Sequence, residues 1–366
     1  MKNNQTNKLG LSLLTTLLLT AIYGCSTTSK TEVNSQITND DGVIVSQTTQ
    51  LDSAKLFAKL PNSCPTPDGL AIAPDGSLTL ACTNYANKGN KPGILLSISS
   101  TGDISTIGET QGVKKGGIGR PMGIAYAPDG SLYVCDSGRI LRLTFKDGHI
   151  ATTEVVARGL TQVNGIRIHN GSVYVSLLQM KKIKSKNLTS GIYQFSLDDR
   201  NIAVTSTEKD KQLLFKTETK NPERQFGLDG LVFDKKGYLY TGNFGDGEIY
   251  RLTLTDDGKQ VIDKEIYAQL PKDTGLDGIT IDNNGNLYVA GFLKNQIVKV
   301  ATDKSVTVLA QYPDNNGSNG ELDQPSEVIV YGDKLVVSNF DLMGGKGIVN
   351  TKHSAPYTLS YIDLSN

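Results

Sequence analysis

Short runs of alternating apolar and polar residues, separated by glycine-containing turns, recur along most of the chain. A pair of such runs begins at Asp229 (DGLVFDKKGYLYTGN), and a close copy begins at Asp277 (DGITIDNNGNLYVAG). Alternation of this kind predicts half-buried β-strands, and the glycine between the two runs predicts a tight hairpin turn. Because the pair is repeated, the pattern predicts one supersecondary unit used several times.

The repeated unit occurs six times and fills residues 51–366. We call the residue that opens each copy its origin residue, and the origin residues are Asp68, Met122, Asn164, Asp229, Asp277 and Ser326. A third alternating run follows in each copy, and a fourth follows in most of them. Six units of four antiparallel strands predict an all-β fold, a six-bladed β-propeller, whose blades surround a central channel.

The two ends of the repeat region complement each other. The sixth copy stops after its third strand, YTLSYIDL (residues 357–364), whereas a fourth-strand pattern, AKLFAKL (residues 54–60), precedes the first copy. We therefore expect this N-terminal strand to complete the last blade and to close the ring, which removes exposed sheet edges.

The N-terminus predicts a secretory signal over residues 1–24. Lys2 and Lys8 precede an apolar run from residue 9 to residue 22, and this run is short for a membrane-spanning helix. The following Ile22-Tyr23-Gly24-Cys25 resembles the bacterial lipobox, so we expect lipidation at Cys25, with an ordinary signal peptide as the alternative. This predicts a lipid-anchored protein of the cell envelope, on the periplasmic face of the outer membrane if the cell is Gram-negative.

Residues 25–50 are rich in Ser, Thr, Asn and Asp and poor in apolar residues, which predicts a flexible tether between the anchor and the propeller. Beyond Cys25 the chain has Cys64, Cys82 and Cys135. An oxidising compartment permits one disulfide, and Cys64 with Cys82 is the first candidate because both flank the same hairpin. Three buried thiols are the alternative.

Charge and histidine content exclude several kinds of site. The 37 basic and 37 acidic side chains balance, which gives no electrostatic reason to expect a nucleic-acid partner. The three His residues show no metal-ligand spacing, and neither a Gly-x-Ser-x-Gly elbow nor a phosphate-binding glycine loop is present.

The origin residues are the main candidates for chemistry. In a propeller the first strand of each blade lines the channel, so we expect Asp68, Asn164, Asp229 and Asp277 to converge at one mouth. Carboxylates and an amide aimed at one point suit Ca²⁺, which accepts several oxygen ligands in flexible geometry. The alternative is that each Asp before Gly only caps the loop backbone.

These Asn-Gly and Asp-Gly openings and the LYVA-type strands resemble the gluconolactonase and senescence-marker-protein superfamily of six-bladed propellers, over essentially residues 51–366. The resemblance implies a catalytic Ca²⁺ held by Asp68, Asn164 and Asp229, with Asp277 as a further ligand or a supporting carboxylate. Asp68 stands where Glu is usual in the family. The stretch Arg120-Pro121-Met122-Gly123 looks closer to the strictosidine-synthase-like branch, which implies a less polar lactone or ester than a sugar-acid lactone.

The resulting functional hypothesis is a calcium-dependent hydrolase of lactones or related esters. Asp229 first and Asp277 second would orient or deprotonate the attacking water. We expect a small-molecule substrate, a monomer and contact with the membrane through the lipid anchor only. The alternative is a non-catalytic envelope propeller that binds a protein or a glycan, with calcium purely structural. Residues 179–189 and residues 339–356 are candidates for a lid in the first case and for a docking surface in the second.

Overall fold

The computed structural model describes residues 32–38, 44–50, 53–86, 91–114, 117–181 and 185–364. Within these residues the strands form six sheets, and each sheet is one blade of a propeller. The predicted six-bladed architecture is therefore confirmed. The predicted signal peptide and the lipidation site at Cys25 lie outside the described residues. Among the described residues, no helix has the length and hydropathy needed to cross a bilayer.

The strands follow the repeat in chain order. Before the first blade come β1 (Glu32–Thr38), β2 (Ile44–Gln50) and β3 (Lys55–Lys59). Blade 1 contains β4 (Pro67–Ile72), β5 (Leu78–Cys82), β6 (Ile94–Ile98) and β7 (Ile104–Glu109). Blade 2 contains β8 (Pro121–Tyr126), β9 (Leu132–Asp136), β10 (Arg139–Lys146) and β11 (His149–Arg158). Blade 3 contains β12 (Val163–His169), β13 (Ser172–Leu177), β14 (Leu188–Ser196) and β16 (Leu213–Thr219), while the short β15 (Ile202–Ala203) pairs with β11 of blade 2.

The second half of the ring has the same order. Blade 4 contains β17 (Leu228–Phe233), β18 (Leu239–Asn243), β19 (Glu248–Leu254) and β20 (Val261–Gln269). Blade 5 contains β21 (Leu276–Ile281), β22 (Leu287–Gly291), a 3₁₀ turn (Phe292–Lys294), β23 (Gln296–Val300) and β24 (Val306–Gln311). Blade 6 contains β25 (Pro325–Tyr331), β26 (Lys334–Asn339) and β27 (Thr358–Asp363).

The N-terminal strand β3 completes blade 6. It pairs antiparallel with β27, with Lys59 opposite Thr358 and Leu56 opposite Ser360. A hydrogen-bonded ion pair at 2.7 Å between Lys55 Nζ and Asp363 Oδ2 lies at the end of this pairing. The ring is thus closed by residues from both ends of the repeat region, as the sequence predicted.

The segment assigned to a flexible tether differs from that expectation. Two strands lie within it, because β1 pairs antiparallel with β2 and β2 pairs in parallel with the outer strand β24 of blade 5. Both strands contain β-branched residues, which favour extended backbone, and the outer edge of blade 5 offers backbone groups to pair with.

A separate apolar cluster fills each interface between neighbouring blades. Alternation along the second strand explains the arrangement, since Tyr133 and Cys135 face blade 3 while Leu132 and Val134 face blade 1. The second strands are therefore buried on both faces, as the uniform burial of β5, β9 and β22 illustrates. Cys64 and Cys82 form the disulfide that was the first candidate, and Cys135 is a buried free thiol.

The inner strands approach each other more closely than a side chain would allow. In blades 1 to 5 the origin residue is followed by glycine, and this glycine faces the backbone of the next blade. A Cβ on Gly165 would lie 2.6 Å from the Asp229 carbonyl oxygen, and one on Gly230 would lie 2.5 Å from the Asp277 carbonyl oxygen. Both distances are inside van der Waals contact, so the glycines permit the tight ring of first strands.

We expect Gly165→Ala to destabilise the protein by about 3 kcal/mol, because its Cβ would press on rigid backbone of the next blade. The matched control is Gly171→Ala in the same blade, where φ is +72° but nothing lies within 4 Å. The control should cost about 1 kcal/mol, from the left-handed backbone alone. Thermal unfolding of the two variants checks this, and equal losses would contradict the close-approach argument.

Candidate active site

A β-bulge marks the origin residue of every blade. In blade 3 the pairing passes from Val163 opposite Leu177 to Ile166 opposite Val175, so that Asn164 and Gly165 fall outside the regular ladder. The other five blades show the same interruption at their origin residue. Bulges re-aim side chains that a regular pleat would direct elsewhere. Here they coincide with the residues that face the mouth of the channel.

The six origin residues line one cavity of about 400 Å³ at that mouth. The sequence prediction of convergence is therefore matched by the geometry of the described residues. The set contains three carboxyls, one amide, one hydroxyl and the thioether of Met122. Asp68, Asn164, Asp229 and Asp277 are each less than 10% exposed. An unusual amount of potential negative charge is consequently buried in one small volume.

Burial shifts the acidity of these carboxyls. It raises the pKa of Asp68 to about 7, with the nearby Glu327 adding to the shift. Burial, followed by the charge of Asp68, raises the pKa of Asp229 well above its usual value. Burial, and then the charge of Asp229, likewise raise the pKa of Asp277 well above its usual value. Without a cation, the site therefore favours protonated over ionised carboxyls.

The side chains of Asp229 and Asp277 also interact directly with each other. This interaction raises the pKa of Asp277 further and lowers that of Asp229, against the larger effect of burial. The two groups that the sequence nominated for water activation are thus in direct contact and differ in their affinity for a proton.

The backbone-capping alternative finds no support in these contacts. Within the part of the chain that the structure describes, no backbone N–H donates to the carboxyl of Asp68, Asp229 or Asp277. The Oδ2 atom of Asp68 is buried with no hydrogen-bond partner among the described residues. An orphaned, buried carboxylate oxygen is costly unless a ligand or a proton satisfies it.

An ion pair spans the channel next to the acidic residues. Arg167 Nη2 in blade 3 donates to Glu327 Oε2 in blade 6 at 3.4 Å and to the Ile279 carbonyl oxygen in blade 5 at 3.2 Å. Burial raises the pKa of Glu327, and the Arg167 charge opposes this rise. Glu327 occupies the position that glycine holds in the other blades, and its side chain packs over Gly278.

The wall of the cavity is aromatic on one side. The residue that directly follows the second strand is phenylalanine in three consecutive blades, as Phe244, Phe292 and Phe340. Adjacent rings in this arc lie 5.8 Å apart between centroids, and Phe226 joins its end at 5.5 Å from Phe244. We call these four residues the phenylalanine arc. The arc stands on the side of blades 4 to 6, where Asp229 and Asp277 also originate.

The loop between β26 and β27, residues 340–357, contributes further apolar side chains to the same wall, and we call it the mouth loop. Leu342, Met343 and Ile348 line the cavity. The side chain of Gln324 fixes the loop by accepting from Leu342 N–H and Met343 N–H and donating to the Met343 carbonyl. Arg224 Nη2 donates to the Lys346 carbonyl oxygen at 2.7 Å, which ties the tip of the loop to the segment before blade 4.

The family of this chain follows from comparison with known proteins. The sequence of residues 99–319 matches the family described as SMP-30/Gluconolactonase/LRE-like region. The match covers more than half of the chain. The chain therefore belongs to the SMP-30/gluconolactonase/LRE-like family. No curated protein shows significant similarity to it in sequence.

Solved structures of related propellers have the same fold. A luciferin-regenerating enzyme superimposes with a TM-score of 0.58 at 14% identity, covering 86% of this chain and 96% of that one. A gluconolactonase from Xanthomonas campestris gives 0.53 at 14% identity, covering 86% and 89%. Regucalcin from Agrobacterium tumefaciens, described as a calcium-binding protein, gives 0.55 at 12% identity, covering 85% and 94%. At these identities the likeness shows the fold alone.

The oxygen atoms at this site are the kind of ligand that a hard divalent cation prefers. Three carboxyls, including Asp68 with its orphaned oxygen, and one amide offer oxygen ligands, which Ca²⁺ prefers and a soft metal does not. In the described residues, however, no group of three or more His, Cys, Asp and Glu side chains is arranged to hold a metal ion. In this arrangement the side chain of Asp277 interacts with that of Asp229.

Sequence reasoning found the origin residues but missed three features of the site. Arg167 and Glu327 meet only because blades 3 and 6 face each other across the ring, and no local pattern signals that contact. The phenylalanine arc was detectable, since Phe244, Phe292 and Phe340 occupy one column of the repeat. Glu327 was detectable in the same way, as the residue that replaces glycine after the sixth origin residue.

The raised pKa values predict how stability of the metal-free protein depends on pH. The folded state binds protons to these carboxyls more tightly than the unfolded chain does, so their contribution is fully present below about pH 4. That contribution is lost as the pH rises through the pKa values of these carboxyls in the folded state, and the pKa of Asp68 is about 7. We expect the unfolding temperature in chelator to fall between pH 5 and pH 8, a range of about three units.

Asp229→Asn removes one buried charge without changing shape. In chelator at about pH 8 it should be more stable than the unmodified protein by at least about 1 kcal/mol, and calcium should stabilise it less. Asp256→Asn, at an exposed position, is the control and should change neither property. A variant at Asp229 that is destabilised in chelator and fully responsive to calcium would contradict the assignment.

Proposed function

We propose that this propeller is a calcium-dependent hydrolase of lactones or related esters. The observation that carries the proposal is the cavity itself, in which buried oxygen donors from blades 1, 3, 4 and 5 lie below an open, apolar-walled space. An enzyme of this class needs charge stabilisation, a proton acceptor and room for a substrate at one place. Membership of a family that includes gluconolactonases supports the same class of reaction.

Asp68, Asn164, Asp229 and Asp277 would hold the cation. Bound there, Ca²⁺ would supply Lewis acidity toward the carbonyl oxygen of the substrate. With the cation held there, Asp229 and Asp277 would both be ionised carboxylates. Asp229 then orients the attacking water and accepts its proton at a carboxylate oxygen, and Asp277 is the second candidate for that step. The hydrophobic wall limits the entry of other water molecules and strengthens these electrostatic interactions.

The non-catalytic alternative is less consistent with the shape of the mouth. A propeller that only displays loops to a protein or a glycan does not need a concave cavity above its acidic residues. Here Met122 lines that cavity without filling it, and the mouth loop forms a wall rather than a plug. The cavity thus favours the hydrolase.

The proposal also covers the localisation of the protein in the cell. The signal pattern and Cys25 support export and lipid anchoring in the cell envelope, and the Cys64–Cys82 disulfide is compatible with an oxidising compartment. A small-molecule substrate would reach the cavity of a tethered propeller directly from the surrounding solution.

Calcium removal tests the reaction. Lactone and aryl-ester hydrolysis should be lost in chelator and restored by added calcium. Asp229→Ala should lower kcat/KM on the order of a hundredfold or more, because it removes both a ligand and the proton acceptor. Met122→Leu changes an origin residue without a carboxyl and should keep the calcium response. Hydrolysis that is indifferent to chelator, or undiminished in Asp229→Ala, would rule the mechanism out.

Lipid anchoring is tested separately in a bacterial host. The unmodified protein should incorporate labelled fatty acid and sediment with the membrane fraction. Cys25→Ser should lose the label and move to the soluble fraction or remain as unprocessed precursor. Absence of label from the unmodified protein would favour the ordinary signal peptide.

A further inference from the structure

The aromatic side chains of the cavity wall come from one position of the repeat. At the position directly after the second strand, blades 4 to 6 carry Phe244, Phe292 and Phe340, and all three line the cavity. Blades 1 to 3 carry Thr83, Ser137 and Leu178 at this position, and the apolar Leu178 lines the cavity as well. The backbone at this position is fixed in the same way in blades 1 and 3 to 6. Phe244 N–H donates to the Gly227 carbonyl at 2.9 Å, just as Thr83 N–H donates to the Thr66 carbonyl at 3.0 Å.

The phenylalanine arc is rigid as well as apolar. Phe244, Phe292 and Phe340 are between 4% and 8% exposed and pack with Leu293 in one cluster. Leu342 and Ile348 of the mouth loop pack against the same cluster. Apart from the origin residues, Arg224 and Tyr85 are the polar side chains among the described residues that line the cavity. A group placed against the arc therefore finds surface to bury but little to hydrogen-bond.

The apolar surface of the phenylalanine arc decides which acyl group can bind. A polyhydroxylated ring held above Asp229 and Asp277 would press hydroxyl groups against phenylalanine, and each unpaired hydroxyl lowers affinity on the order of tenfold. An aryl or alkyl group gains from the same contact. The volume of about 400 Å³ leaves room for on the order of 13 non-hydrogen atoms at the ≈30 Å³ that one water occupies.

We propose that the phenylalanine arc is the specificity determinant of the site and selects lactones or esters with an aryl or alkyl substituent over sugar-acid lactones. The proposal rests on the proposed hydrolase function. Phe292, at the centre of the arc and next to both Phe244 and Phe340, makes the largest contribution. The reacting carbonyl lies toward the acidic origin residues, and its substituent lies along the arc.

Binding and hydrolysis are measured with one matched pair of compounds. Phenylacetate and gluconate serve as product-like acids in calorimetry with the calcium-loaded full chain, and phenylbutyrolactone and gluconolactone serve as substrates. Phenylacetate should bind at least tenfold more tightly than gluconate. Phe292→Ala should weaken phenylacetate roughly tenfold or more, Phe292→Leu should restore part of the loss, and gluconate binding should change little. Phe145→Ala, which removes a half-buried ring from blade 2, is the control.

The outcomes separate the two proposals. Preference for gluconolactone, or phenylacetate binding that is unchanged in both folded Phe292 variants, overturns the role of the arc and leaves the hydrolase intact. Selective phenylacetate binding without hydrolysis of either lactone overturns the hydrolase and leaves the selectivity of the cavity. If Phe292→Ala fails to fold, by its unfolding temperature, Phe292→Leu alone decides, and a full loss of preference there also supports the arc.

Discussion

The close approach of the six inner strands is the constraint on which the rest of the structure depends. Glycine after the origin residue lets the backbone of one blade touch the backbone of the next, as at Gly165 and Asp229 or at Gly230 and Asp277. The strands then form a closed ring from β4 through β25. Because the ring is narrow, side chains turned inward by the bulges meet within one small cavity. A wider ring would leave the same carboxyls solvated and apart.

Narrowness has an electrostatic cost, and the protein offsets part of it. Four buried acids, Asp68, Asp229, Asp277 and Glu327, share the axis, and each has a raised pKa. Glu327 is paired with Arg167, and the side chains of Asp229 and Asp277 interact with each other. Asp68 keeps an oxygen without a partner. Buried groups that are left unsatisfied in an otherwise well-packed interior are typical of functional sites, where binding energy compensates the local instability.

Most of the fold could be predicted from the sequence because a repeat makes one local pattern visible six times. The strand pairs, the positive-φ glycines of the hairpin turns and the closing strand β3 were all signalled by alternation and by turn chemistry. The added strands β1 and β2 were not, since their polar composition resembles that of a linker and their partner β24 is distant in sequence. In the site, the origin residues could be predicted because each one opens a copy of the repeat. The contact of Arg167 with Glu327 arises from the closed ring and could not be read from either neighbourhood.

The pairing of β3 with β27 also bears on how the molecule is made. Lys55 and Asp363, which meet at 2.7 Å, are separated by 308 positions along the chain. During synthesis from the N-terminus, β3 therefore has no partner until nearly the whole propeller exists, whereas the Cys64–Cys82 disulfide spans only 18 positions and can form early. Five blades can assemble from strands that are close in sequence, whereas blade 6 is complete only when β27 pairs with β3. The interval between those events is when the nascent protein carries unpaired strand edges, so it is the period in which association with other chains competes with closure.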